Sequence, residues 1–279
     1  MAAALHLLSY DFLRHAVLAG LLASVLCGVV GTFVVVKRLV FLAGGVAHAA
    51  FGGLGVCYFL GIDPRIGAVA VAVVSALALA GPGRERGRSH DAVIGILWAV
   101  GMALGVVFLY KSPGYAPNLM AYLFGDILTV GAADVALTFG LVVVVVALFL
   151  LFFKESVALA FDEEFAAVQG VPVRWAMIVL MLLAALSVVF LIQLVGILLV
   201  IALLTIPPVI GLRLAHSFPA VVGLSIAIGV VMTQVGLALS YLYDLPSGPA
   251  IVLVGALLLL VVAVVQRAGS RSRGATDRP

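Results

Sequence analysis

The sequence predicts an all-α polytopic membrane protein of about eight to nine transmembrane helices, on three observations. Of its 279 residues, 65% are apolar and 10% charged, and the mean hydropathy is +1.35. A soluble domain carries about 25% charged residues, so water is the wrong solvent for this surface. Apolar runs long enough to cross a bilayer recur along the chain, each bounded by charge or by Gly and Pro. Basic residues fall on alternate connections between the runs.

In chain order the expected spans are 12–36, 41–60, 66–80, 92–110, 132–153, 175–192, 195–210, 219–243 and 250–266. Span seven is short, and a re-entrant path there would make the count eight. Residues 1–266 form one transmembrane domain, and 267–279 form a polar tail expected to be disordered. The opening MAAALHLLSYDFLRH lacks the basic n-region of a cleavable signal and reads as mature sequence.

Charge sets the expected orientation. With Lys37 and Arg38 in the cytoplasm, nine spans place 12 of the 15 Lys and Arg on that side and leave only Arg14, Arg65 and Lys111 outside. The positive-inside rule then puts the N-terminus outside and the C-terminus in the cytoplasm of a multi-pass inner-membrane protein. The pI near 9.0 reflects basic loops facing acidic lipid; no aromatic-interleaved basic patch points to nucleic acid.

Small residues form stripes. Gly44, His48 and Gly52 recur every fourth residue in span two, and Gly101 and Gly105 repeat the spacing in span four. Such stripes let helices approach closely in lipid, so a packed bundle is expected. No direct or inverted repeat is evident, which gives no support to a symmetric secondary transporter.

Ionisable groups inside a span are costly and therefore candidates for function. His48 lies about eight residues into span two, on the glycine stripe. A neutral imidazole there is either a ligand for zinc or another borderline metal, or a packing histidine with a backbone partner. Asp126 and Asp244 lie on the outer side. Each could attract a cation or contact a docking protein, or could equally serve turn and cap chemistry. Gln193 and Gln234 read as interhelical hydrogen-bonding groups, and Cys27 and Cys57 as apolar packing residues without ligand spacing.

Enzyme signatures are absent: no HExxH, no GxSxG, no paired intramembrane aspartates and no GxxxxGK[ST] phosphate loop. If ATP drives this protein, the ATPase is another chain. Two cytoplasmic segments could receive it. Asp162-Glu163-Glu164, followed by Gly170-Val171-Pro172, reads as a capped interfacial helix. In the second, Pro207 and Pro208 are expected to end span seven. A short amphipathic stretch, Ile210, Gly211, Leu212, Arg213, Leu214, Ala215, His216 and Ser217, then leads into the next span, as either a rigid stub or a connecting loop.

Five landmarks in order resemble a known family over about residues 12–265. They are Lys37-Arg38 followed by the 41–49 segment FLAGGVAHA; the 119–126 segment LMAYLFGD; the 162–171 segment; the 196–208 run GILLVIALLTIPP; and the 243–253 close YDLPSGPAIVL. The resemblance is to the permease subunit of ABC-type zinc/manganese uptake systems, the ABC-3 family, closest to the zinc permease. It implies a homodimeric permease bundle of the type II importer kind, two cytoplasmic ATPase subunits and an extracytoplasmic metal-binding protein. It implies transport of a divalent transition metal, zinc first, with no permanently bound cofactor. It further implies that His48 lies on the metal path and that residues 210–217 hold the coupling helix. One departure stands out: where the family has an acidic residue four positions before the histidine, this chain has Gly44. A ligand from elsewhere, such as Asp126 or Asp244, would then accompany His48. A metal-chelate permease, an intramembrane enzyme and a passive structural subunit are the rival readings.

Overall fold

Inside hydrocarbon every backbone N–H and C=O needs a partner within its own segment or its neighbours, and helices supply it. The computed structural model describes residues 10–80, 90–112, 125 and 127–276, and ten α-helices account for nearly all of them. They are α1 (Asp11–Val36), α2 (Val40–Phe59), α3 (Pro64–Ala80), α4 (His90–Lys111), α5 (Ala132–Leu151), α6 (Phe153–Phe161), α7 (Glu163–Val168), α8 (Val173–Leu214), α9 (Phe218–Tyr243) and α10 (Ser247–Thr276). Seven are long and apolar enough to cross a membrane. The 17-residue α3 falls just short, at about 26 Å.

Helix α8 is two arms. Its 42 residues would make a rod of about 63 Å, twice the hydrocarbon thickness. At Gly196 the backbone turns to φ 78°, ψ 163°, a region open essentially to glycine alone. The arms then run back along each other. Leu42 and Val46 of α2 share a core cluster with Met181 and Ala185 of the first arm. The Cβ position of Gly44, between them, lies 3.9 Å from Ile201 of the second arm. In a straight helix residues 181 and 201 would stand about 30 Å apart. Spans six and seven therefore meet at a single glycine, with no intervening polar loop.

The main core gathers α1, α5, both arms of α8, α9 and α10 around Leu26, Phe33, Leu191, Leu203, Leu204 and Met232. A second cluster joins α2, α3 and α4 to the first arm of α8. Helix α1 is the centre post: Gly31 lets the carbonyl of Leu204 approach, with a Cβ there only 2.7 Å from that oxygen. Pro208 has no N–H to offer that carbonyl, so its close neighbour across the interface matters.

One expectation is corrected. Pro207 and Pro208 do not end a span. The helix continues through them to Leu214, and the Leu204 carbonyl that Pro208 leaves without an N–H partner lies against Gly31 of α1, on the side where that glycine carries a Cα hydrogen. Helix α10 runs on past residue 266 to Thr276.

Candidate functional site

Helices α2 and α4 run side by side in the same direction. The two glycine stripes read from the sequence pack on each other: a Cβ at Gly52 would lie 2.7 Å from the Gly101 carbonyl oxygen, and one at Gly55 2.7 Å from the Gly105 Cα. No larger residue fits this seam, and the contact it permits sets the register of the neighbouring side chains.

His48 sits half-buried beside that seam. Its imidazole stacks on the indole of Trp98, with ring centroids 4.1 Å apart and planes 15° from parallel. Its Nδ1 lies 3.3 Å from the Sδ of Met102, one turn further along α4. Gly44, where the resemblance leads one to expect an acid, presents its Cβ position to Trp98 Cζ3 at 3.5 Å. The indole occupies the space in front of that position.

The two aspartates read as partners for His48 fare differently. Asp126 lies outside the described residues. Asp244 is exposed and caps α9 in the left-handed conformation, φ 52°, its N–H donating to the Ser240 carbonyl. The Ser240 hydroxyl donates to the Leu245 carbonyl at 2.6 Å and closes the same turn. Helix α9 packs mainly on α1, α8 and α10. Among the described residues, no group of three His, Cys, Asp or Glu assembles at His48 or elsewhere. Met102 and Trp98 are the functional candidates missed from the sequence. Both sit in an apolar run where their only signal is the four-residue spacing beside Gly101 and Gly105.

A cavity of about 500 Å³ opens elsewhere, among α1, α5, α6 and the first arm of α8, lined by Phe33, Phe149, Trp175 and Leu183. Its walls are largely apolar, with Glu155, Ser156 and Gln169 as the polar lining, and do not include His48.

Of the two segments read as receiving a partner, the first folds as expected. Asp162 caps α7, its Oδ1 accepting from the N–H groups of Glu164 and Phe165, both at 3.0 Å. Glu163 pairs with Lys37 at 2.8 Å, and Gly170, at φ 83°, ends the turn before Pro172. The second is not a separate helix, which corrects the expectation of a short amphipathic stretch after the prolines. Ile210, Gly211, Leu212, Arg213 and Leu214 are the last turn of α8, with Ile210 and Gly211 buried. Ala215, His216 and Ser217 make the tight connection to Phe218. Gln266 of α10 donates to the Arg213 carbonyl at 2.9 Å and ties this end down. Gln234 takes the structural role expected of it, donating to the Val17 carbonyl across α1 and α9 at 3.3 Å.

Comparison with known proteins matches this arrangement. The chain is 39% identical over 260 residues to an uncharacterized membrane protein of Synechocystis sp., covering 93% of this chain and 92% of that one. It is 34% identical over 252 residues to the manganese transport system membrane protein MntC of Halalkalibacterium halodurans, covering 90% and 86%. The fold superposes on PsaBC from Streptococcus pneumoniae, solved in complex with Fab, with a TM-score of 0.83 at 28% identity over 94% of this chain and 95% of that one. Residues 9–266 match the model of the ABC 3 transport family, and the chain belongs to that family.

Proposed function

We propose that this chain is the membrane-spanning permease of an ATP-driven importer for a divalent transition-metal ion, with zinc as the first candidate. The observation that carries the reading is His48: a half-buried imidazole on a helix of a family permease bundle, with no carboxylate cluster formed around it among the described residues. Imidazole suits zinc, whereas manganese favours oxygen donors. Manganese is the second reading, favoured by the name of the H. halodurans relative.

Two copies of the chain pair in the inner membrane, N-termini outside, with ATPase subunits on the cytoplasmic face and a metal-binding protein on the outer one. A loaded binding protein docks on the outer side, over the turn at Asp244 and the connection that carries Asp126. ATPase closure pushes on the end of α8 at Ile210–Ser217 and on α7 at Asp162–Glu164 and Gly170. Both places are mechanically tied to the bundle, one through Gln266 and one through Lys37, so a push there reaches the spans. The cation passes His48 with few ligands, because a full cage would trap it.

The test is uptake of radiolabelled zinc or manganese into vesicles holding the permease, its ATPase and its binding protein. ATP-dependent zinc accumulation, halted in His48→Ala at unchanged assembly, is expected. Accumulation of manganese in preference to zinc establishes the second reading, and uptake unchanged in His48→Ala removes His48 from the path.

A further inference from the structure

His48 on α2 and Met102 on α4 place an imidazole nitrogen and a thioether sulfur 3.3 Å apart. Zinc sits about 2.0–2.1 Å from such a nitrogen and about 2.3 Å from a thiolate sulfur, with a neutral thioether no closer. The observed separation then subtends about 90–100° at a bridging cation, somewhat below the tetrahedral angle, with the remaining positions left open.

The pair is held in place from two directions. Gly101, adjacent to Met102, packs on Ala49, and a Cβ there would come within 3.1 Å of the His48 carbonyl oxygen. Trp98, one turn before Met102, stacks on the imidazole and fixes its plane. Gly44 leaves the indole free to do so. Both donors are half-buried, so one side stays open to arriving cargo and its water.

We propose that His48 and Met102 form a bidentate imidazole–thioether site for a thiophilic d10 cation, zinc(II) or copper(I), with Trp98 as its positioning residue. As a site for cargo, the proposal rests on the importer reading above. A neutral, soft donor set discriminates against manganese, which favours oxygen ligands, and two ligands hold a cation weakly enough to release it.

The experiment uses the full chain in lipid nanodiscs with zinc(II), copper(I) and manganese(II) as probes, read by competition binding and by X-ray absorption at the metal edge. Wild type should show nitrogen and sulfur scatterers with zinc or copper. Met102→Leu, close in volume, should lose the sulfur shell and weaken zinc and copper binding by at least about tenfold, since removing even an outer partner of a ligand costs 10–100-fold. Manganese affinity should stay unchanged. Met102→Cys, which restores a sulfur donor, should recover much of the loss and separates ligation from packing. Tighter binding of either zinc or copper supports the site and names its ion. A sulfur shell unchanged in Met102→Leu, or equal loss for all three ions, overturns the proposal. ATP-driven uptake in the assembled complex is scored separately. Zinc uptake whose preference over manganese is indifferent to Met102 leaves the importer standing without this site. A sulfur-ligated cation with no ATP-driven uptake leaves the site standing without the importer.

Discussion

The ammonium of Lys37 meets the carboxylate of Glu163 at 2.8 Å, with the two side chains only 11% and 30% exposed. Lys37 follows the last residue of α1, and Glu163 opens α7. Each charge therefore also sits at the helix end whose dipole favours it. The pair joins the central helix of the bundle to the short capped helix that we assign to the ATPase interface. Glu163→Gln should leave basal ATP hydrolysis in the complex intact but lower ATP-driven uptake about fivefold, the equivalent of about 1 kcal/mol. Uptake restored in Lys37→Glu combined with Glu163→Lys would show that the link itself matters; a double variant no better than the singles would discard the idea.

Gly196 carries the reversal of α8 in a conformation that a Cβ does not tolerate. Gly125 packs its backbone onto Val195 beside it, also at positive φ, 67°. Gly196→Ala and Gly125→Ala should each destabilise by about 1–3 kcal/mol, seen as a lower midpoint in thermal size-exclusion assays. Ala substitution at Gly140, whose Cβ position meets nothing within 4 Å, is the control expected to be silent.

The α2–α4 seam should be equally sensitive. Gly101→Val forces the helices apart at Ala49 and costs about 1–3 kcal/mol by overpacking. It should also weaken zinc binding, because the register that brings Met102 to His48 is set there. Intact binding at reduced stability would separate the seam from the site.

Gly44→Asp adds a carboxylate one turn before His48. Its Cβ would meet Trp98 and Ile201 only at ordinary contact, 3.5 and 3.9 Å, so the fold should accept it. Manganese affinity should rise about tenfold, an effect of about 1.4 kcal/mol, as the donor set hardens. Competition binding on purified protein measures this directly.

Orientation can be read by labelling with a membrane-impermeant maleimide in a background of Cys27→Ala and Cys57→Ala. A thiol introduced by Ser217→Cys should be protected in intact cells, and one introduced by Tyr243→Cys should react. The reverse pattern would invert the topology.

Much of the bundle was legible in the chain because lipid imposes a simple rule. The expected edges of α1, α2, α4 and α9 agree with the structure within two residues, since charge or turn chemistry marks both ends. The stripes at Gly44/His48/Gly52 and Gly101/Gly105 announced close packing. The Asp162 cap announced α7, because a carboxylate at that position accepts from the free N–H groups behind it. Lys37–Glu163 and Arg65–Asp134 each join connections that the count of basic residues places on one side.

The prolines at 207 and 208 misled, because whether proline ends a helix depends on what covers the carbonyls it frees, and burial against α1 is a tertiary fact. Gly196 was one of 30 glycines, and nothing local singled out its φ of 78°. The partner of His48 was beyond reach for the same reason. Met102 stands 54 residues away, and only the glycine seam between α2 and α4 decides that a thioether, and not Asp244, stands at the imidazole. Composition and periodicity determined that the chain is a membrane bundle, because solvent transfer acts on each segment alone. The neighbours of His48 were decided by the fold, because they depend on how two separate segments register against each other.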